Sequence, residues 1–202
     1  MKDKPEIILA STSHARIEIL KKINFNFVTR PPNVIEKQLK GEKPENMSLR
    51  LSREKSISVA INNPNSIVIG SDQVAVCRGK VLSKPLTEEN AIKQLSWQIG
   101  NKTEFYTGIA ISRNGGKNIK SAVVKSYVEF LDKKHLSNDF LSSYVKKSSP
   151  LNCAGSAKFE GIGISLVKRV SSEDPNALMG LPVIKLFGFF NEWGYSPLSL
   201  VN

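Results

Sequence analysis

Histidine and cysteine are almost missing from this chain, two of each among 202 residues. His14 and His135 form no HxH or HExxH pattern and have no cysteine cluster beside them, which leaves a zinc site without support. Nor is there a GxSxG elbow that His135 could serve in a hydrolase triad. Cys77 and Cys153 are far apart with no CxxC spacing, which argues for free thiols and a reducing compartment rather than a disulfide framework. Aromatic residues are only 7% of the chain and are not interleaved with basic ones, unlike a platform for single-stranded nucleic acid. No run of about 18 apolar residues occurs, and "MKDKPEIILA" has no apolar stretch long enough for a signal peptide. The expectation is a cytoplasmic protein with no membrane association. Two nucleotide signatures are absent too: no GxGxxG follows a strand, and no GxxxxGK[ST] loop exists.

Positive charge, by contrast, is plentiful. Lys and Arg number 29 against 18 Asp and Glu, a net charge of +11. A field of that sign attracts polyanions, whether nucleic acid, an anionic membrane surface or a small polyphosphate. With 40% apolar residues, a chain of this length can bury a core without staples, as one domain over 1–202 or as two intimately packed lobes.

Along the chain, "IILAS" (7–11) reads as a strand that turns through small hydroxyl residues into a helix, with Ser13 at its cap and Ile17, Leu20 and Ile23 at helical spacing. "FNFVT" (25–29) alternates like a strand. Met47, Leu51, Ile57 and Ile61 suggest a helix over about 45–61, closed by "NNPN". "IVIGSDQVAV" (67–76) is a buried strand interrupted by Asp72. A helix over 88–98 follows Thr87, and "RNGGKN" joins two strand-like runs as a hairpin. Ser137 precedes a helix over about 139–146, "GIGISLVKRV" reads as a strand, and Pro182 and Gly194 bracket a last helix. Strands and helices alternate early, with a hairpin in the middle, which predicts an α/β fold on a mixed sheet. Ligands in such sheets bind beyond strand C-terminal ends, where Ser11 and Asp72 are expected.

Four places could carry chemistry. "LASTSHAR" (9–16) offers helix N–H groups and the Arg16 fork to an anion, or is an ordinary serine-capped helix. Asp72 could hold a magnesium ion with a second acid, Glu36 or Glu160, could act as general base toward an attacking water, or could close an Asx turn. Lys84, stiffened by Pro85, could neutralise a transferring phosphoryl group or be a solvated lysine, and the same two readings apply to Lys55. The glycines of "CAGSAKFEGIG" (153–163) suit either close approach to a ligand or simple turns.

Taken in order, "ILASTSHARIEIL", "NVIEK", "VIGSDQV", "SKPLTEENA", "FYTGIAI", "AGSAKFEGIG" and "GLP" resemble the Maf family of nucleoside triphosphate pyrophosphatases over nearly the whole chain. The wording "GSDQV", "KPLTEENA", "TEFYTG", "PLNCAGS" and "DPNALMGLP" looks most like the branch that hydrolyses 7-methyl-GTP. The resemblance implies an elongated mixed sheet with flanking helices, two lobes and a cleft, related to inosine triphosphate pyrophosphatases. It implies cleavage of a triphosphate to monophosphate and pyrophosphate with magnesium or manganese and a small-molecule substrate; homodimers are common in the family, and a nucleic-acid partner is not expected. By position, Asp72, Glu36 and Lys84 would be catalytic, with Asp72 and Glu36 also metal-associated. Ser11, Arg16 and Lys55 would hold the triphosphate, and Ala15, Gln73 and Glu160 match the specificity positions.

Two departures from the family pattern stand out. Ile35 replaces the middle acid of the VDE motif, and Ala15 stands where the 7-methyl-GTP branch commonly has a tryptophan, with His14 in place of the usual proline. A cation–π contact to the methylated base is worth roughly 0.5 to 2 kcal/mol, so its loss means about two- to thirty-fold in affinity unless another aromatic substitutes. The rival readings are a pyrophosphatase for other nucleotides, and a non-catalytic basic regulator that binds nucleic acid or protein.

Overall fold

The computed structural model describes residues 5–201. Their strands are β1 (Ile7–Ala10), β2 (Val28–Arg30), β3 (Ile67–Cys77), β4 (Lys80–Leu82), β5 (Lys102–Arg113), β6 (Asn118–Phe130) and β7 (Val167–Ser172). The helices are α1 (His14–Lys22), α2 (Pro44–Ala60), α3 (Glu88–Gln98), α4 (Asn138–Ser148) and α5 (Val183–Glu192). All seven strands share one sheet in the order β2-β1-β3-β5-β6-β7, with β4 paired to β3 outside that path. Parallel pairing of β1 with β2 and β3, together with antiparallel β3–β4 and β6–β7, makes the sheet mixed, as expected for this α/β chain.

Two compact units divide the chain: residues 1–72, 107–124 and 174–202 in the first, and 73–106 and 125–173 in the second. In the first unit β1 lies between two parallel neighbours and has helices on both faces, which is why it reads as the unbroken apolar run "IILA". The period of two sorts its side chains. Ile7 and Leu9 join Ile67, Ile69, α1 residues Ile19 and Leu20 and α5 residues Leu186 and Phe190 in one cluster. Ile8 and Ala10 turn the other way and meet Val68 with Val59 and Ala60 of α2.

The α2 face of the sheet explains an unusual helix. Ser48, Leu51, Ser52, Lys55, Ser56, Val59 and Ala60 are its buried residues, a stripe at helical spacing in which serine replaces the usual large apolar residues. Glycines on the sheet require this. An added Cβ at Gly70 would lie 2.3 Å from the Ser52 carbonyl oxygen, and one at Gly108 would lie 2.2 Å from that of Ser48. Backbone therefore meets backbone, and Ser56 donates to the Val68 carbonyl at 2.8 Å. Of Met47, Leu51, Ile57 and Ile61, whose spacing suggests the helix, only Leu51 lies on its buried face. Ile61 is 61% exposed, because the side that meets the sheet is selected by small size and not by hydrophobicity.

The second unit packs α3 against α4. The Thr87 and Ser137 side chains cap these helices, accepting from the backbone N–H groups of Asn90 and Phe140. Gln98 is buried there because its amide is satisfied, donating to the Gly155 carbonyl at 2.7 Å and accepting from Thr103 at 3.1 Å. Three other expectations are corrected by the fold. "GIGISLVKRV" is half strand only, since residues 162–166 form a 3-10 turn before β7. The 25–29 strand shrinks to Val28–Arg30, as Phe25 leaves to make an isolated bridge with Val201. Ser13 occupies the cap position of α1, but its side chain makes no capping bond. No helix among the described residues is long and apolar enough to cross a membrane.

Candidate functional site

Asp72 does not end its strand. It is the sixth residue of an eleven-residue β3, because the strand runs on to pair with β4 at Ala75, Val76 and Cys77. Val68, Gly70 and Asp72 share one face by the period of two, the face that receives α2. Because Gly70 lets α2 settle onto β3, Lys55 reaches past it, and its Nζ donates to Asp72 Oδ1 at 2.5 Å. Lys55 is 4% exposed and Asp72 7%. The same ammonium lies 2.5 Å from Glu36 Oε1, whose side chain remains 39% exposed. Two carboxylates thus converge on one point, each oxygen within hydrogen-bond reach of a single cation. Of the two acids considered as partners for Asp72 in the sequence, it is Glu36 that the fold brings to it.

Arg16 lies in the first turn of α1 and completes this group. Its Nε donates to the Gly180 carbonyl at 2.8 Å, and Nη1 lies 3.5 Å from Ser11 Oγ. Ser11 is buried immediately after β1 and accepts from the Ser13 N–H at 3.1 Å. Gly180 has φ of 98°, and a Cβ there would lie 3.4 Å from Arg16 Nε, so glycine suits both the turn and the contact. Ser71 also donates to the Gly180 carbonyl, at 2.8 Å, tying the strand residue next to Asp72 to the loop that holds the arginine. In the sequence "GLP" is no more than a short motif. That a carbonyl within it steers Arg16 is invisible there, since a backbone acceptor leaves no trace in composition.

Charge and burial oppose each other here. Burial is the main influence that raises the Asp72 carboxyl above its ordinary value, with the like charge of Glu36 adding to it, while Lys55 and Arg16 pull it down. Burial likewise lowers the Arg16 guanidinium against the raising effects of Asp72 and Glu36, and an arginine remains a cation under such a shift. Two acids and two cations therefore meet here, with Asp72 and Lys55 withdrawn from water and Glu36 at its edge.

Ala15 follows His14 at the start of α1 and is partly buried. The remaining expected residues belong to the second unit. Gln73 directly follows Asp72 in β3 and is partly buried. Lys84 and Glu160 are exposed, and both act electrostatically on Cys153, Glu160 raising its thiol and Lys84 lowering it. Burial contributes most to that shift, which carries the thiol up to about 11 and leaves it protonated at neutral pH. Tyr144 accepts from the Lys158 N–H at 2.9 Å, which anchors the loop carrying Phe159 and Glu160, and Phe159 meets Phe105 edge to face at 5.4 Å.

A profile of Maf-like proteins matches residues 6–193, a span that includes nearly all of both units. A 7-methyl-GTP pyrophosphatase of Methylobacillus flagellatus is 40% identical over 190 residues, covering 94% of this chain and 97% of its own. Among solved structures, a HAM1 protein from Coxiella burnetii matches 63% of this chain and 73% of its own, with TM-score 0.40 and 13% identity. With the family profile matched over residues 6–193 and a relative 40% identical over 94% of the chain, the chain belongs to the Maf family.

Proposed function

We propose that this protein hydrolyses a nucleoside triphosphate to the monophosphate and pyrophosphate, with 7-methyl-GTP as the preferred substrate. The observation that carries the reading is the convergence of Asp72 and Glu36 on Lys55, with Arg16 coupled to both acids. A polyphosphate needs such a mixture: cations for its oxygens and a carboxylate for the attacking water.

In the proposed reaction a water oxygen attacks the α-phosphorus while Asp72 takes a water proton. The new O–P bond forms as the anhydride O–P bond breaks, and the pyrophosphate departs with the bonding electrons. Lys55 and Arg16 balance the charge that grows on phosphate oxygens, and the N–H groups at the start of α1, beside Ser11, favour an anion there. The family implies a divalent cation, and the donor set fits one. Magnesium and manganese take oxygen ligands, and one or two carboxylates plus substrate phosphates are the usual set. Asp72 and Glu36 would hold it, and it would supply further neutralisation of the phosphates.

Base choice is assigned to Ala15, Gln73 and Glu160. A carboxylate accepts from the donor edge of a guanine, and a glutamine amide both donates and accepts. The 40% identity to a 7-methyl-GTP pyrophosphatase supports that substrate. Ala15 supports a second reading, a pyrophosphatase with a different or broader preference, because alanine offers a cationic base no aromatic face. Turnover of 7-methyl-GTP beside GTP, UTP, CTP and dTTP in heavy-oxygen water separates them. The first reading requires the highest kcat/KM for 7-methyl-GTP and label in the monophosphate alone. Equal or reversed preference supports the second, and label in the pyrophosphate contradicts attack at the α-phosphorus.

A further inference from the structure

Glu36 occupies an improbable place for a residue of a well-defined site. The stretch 31–43 has neither helix nor strand, its apolar residues Ile35 and Leu39 are 84% and 56% exposed, and Pro32 and Val34 are only partly buried, so no fully buried apolar side chain holds it. Polar contacts with one residue of α2 do. Arg50 Nη2 donates to the carbonyl of Lys37, next to Glu36, at 3.0 Å. The same guanidinium grips Glu42 with two bonds, Nε to Oε1 at 2.6 Å and Nη2 to Oε2 at 2.8 Å. Glu42 in turn accepts from the Leu39 N–H at 3.0 Å, and its carbonyl accepts from the Gln38 amide at 2.8 Å. Nη1 of Arg50 bonds Glu54, one turn further along the helix, at 3.1 and 3.2 Å, which fixes the orientation of the fork.

Helix α2 therefore carries two attachments to the same loop. Lys55 meets the Glu36 carboxylate, and Arg50, five residues earlier, holds the backbone on which Glu36 is mounted. The Glu42 side chain is only 8% exposed and that of Arg50 22%, so the pair is sheltered well enough to act as a fixed strut, unlike a solvated surface pair. Each also moves the other's proton affinity, Arg50 upward and Glu42 downward. The five-donor planar fork is essential to this arrangement, since an ammonium cannot bond a carboxylate in parallel, a neighbouring carbonyl and a second carboxylate in one plane.

We propose that Arg50, with Glu42, is a positioning residue that sets the Glu36 carboxylate against Lys55, where it would be available to a divalent cation, an inference that rests on the pyrophosphatase reading. Neither residue touches the reacting atoms. Their effect runs through Glu36, so it disappears when Glu36 no longer has a carboxylate to position.

The test is a double-mutant cycle read by manganese binding, followed by electron paramagnetic resonance in the presence of a non-hydrolysable triphosphate analogue. The proteins are the wild type, Arg50→Lys, Glu36→Gln and the double variant, with melting temperatures taken in parallel. Arg50→Lys is expected to weaken manganese binding about tenfold, the usual scale for residues that orient a ligand, and to add nothing in the Glu36→Gln background. Glu42→Gln should repeat the Arg50→Lys result, and it replaces that variant should the latter fail to fold. Unchanged manganese affinity in Arg50→Lys, or a loss that adds in full to that of Glu36→Gln, overturns the proposal. Failure of the wild type to bind manganese with nucleotide would instead remove the pyrophosphatase reading, and this inference with it.

Discussion

The ammonium of Lys55 stands 2.5 Å from Asp72 Oδ1 and 2.5 Å from Glu36 Oε1, linking a strand residue and a loop residue through a helix. The fold invests heavily in this relationship, with serines along α2 and a glycine in β3 where larger side chains would pack more surface. Its energetic character follows from burial. Withdrawal of Asp72 from water opposes its charge, and the two cations oppose that penalty.

The first prediction concerns the proton on Asp72. Burial places its native pKa above the ordinary 3.8, and Lys55 is the strongest influence in the other direction. A carbon NMR titration of the metal-free protein should find the Asp72 midpoint above that value and find it higher again in Lys55→Met. A midpoint at or below the ordinary value would contradict this account of the site.

Stability should respond to the same shift. An aspartate with a raised native pKa binds more protons folded than unfolded, so stability falls as pH rises from the unfolded pKa through the native one. Asp72→Asn removes that charge while Glu36 keeps Lys55 paired. Thermal unfolding should therefore show the variant melting above the wild type at neutral pH, with the gap narrowing in acid. A variant that melts lower at neutral pH would mean the ion pair outweighs its desolvation.

Gly70→Ala tests how α2 is seated. The new methyl would meet the Ser52 carbonyl oxygen and the Ser56 amide nitrogen at 2.3 and 2.6 Å, both backbone atoms with little room to yield. Overpacking of this kind costs about 1 to 3 kcal/mol. Denaturant unfolding should show that loss, and turnover should fall as well because Lys55 rides on the displaced helix. Wild-type stability and turnover together would mean that the close approach is dispensable.

Helix caps offer a separate check on the account of local structure. Thr87→Ala and Ser137→Ala each remove a side-chain cap and should cost about 1 kcal/mol, with little change in kcat. Ser13→Ala should cost much less in stability, since that side chain makes no capping bond. Equal losses at the three positions would undo the distinction.

Much of this was legible in the residues. "IILA" announced a strand, Thr87 and Ser137 announced helix starts, and the family resemblance of the ordered motifs pointed to Ser11, Arg16, Glu36, Lys55 and Asp72. The failures have physical causes. A search for apolar periodicity cannot find a helix face made of Ser48, Ser52 and Ser56, because that face is chosen by the glycines opposite it. A lysine within the buried stripe of α2 was the clue to a paired charge, visible only once the stripe is placed correctly. Asp72 was expected at a strand end because local sequence does not reveal the partner strand β4, which prolongs β3. The Arg50–Glu42 strut and the Gly180 carbonyl depend on contacts between distant segments and on backbone atoms, neither of which composition records.

The most direct test of the central claim, that Asp72 is the proton-accepting acid of a nucleotide pyrophosphatase, is pyrophosphate release by wild type and Asp72→Asn side by side, with 7-methyl-GTP at saturating magnesium or manganese. The account predicts metal-dependent turnover in the wild type and a loss of at least about a hundredfold in kcat in the variant, the low end for removing a general base. Equal turnover in the two proteins, or no turnover of any nucleotide by the wild type, would contradict it.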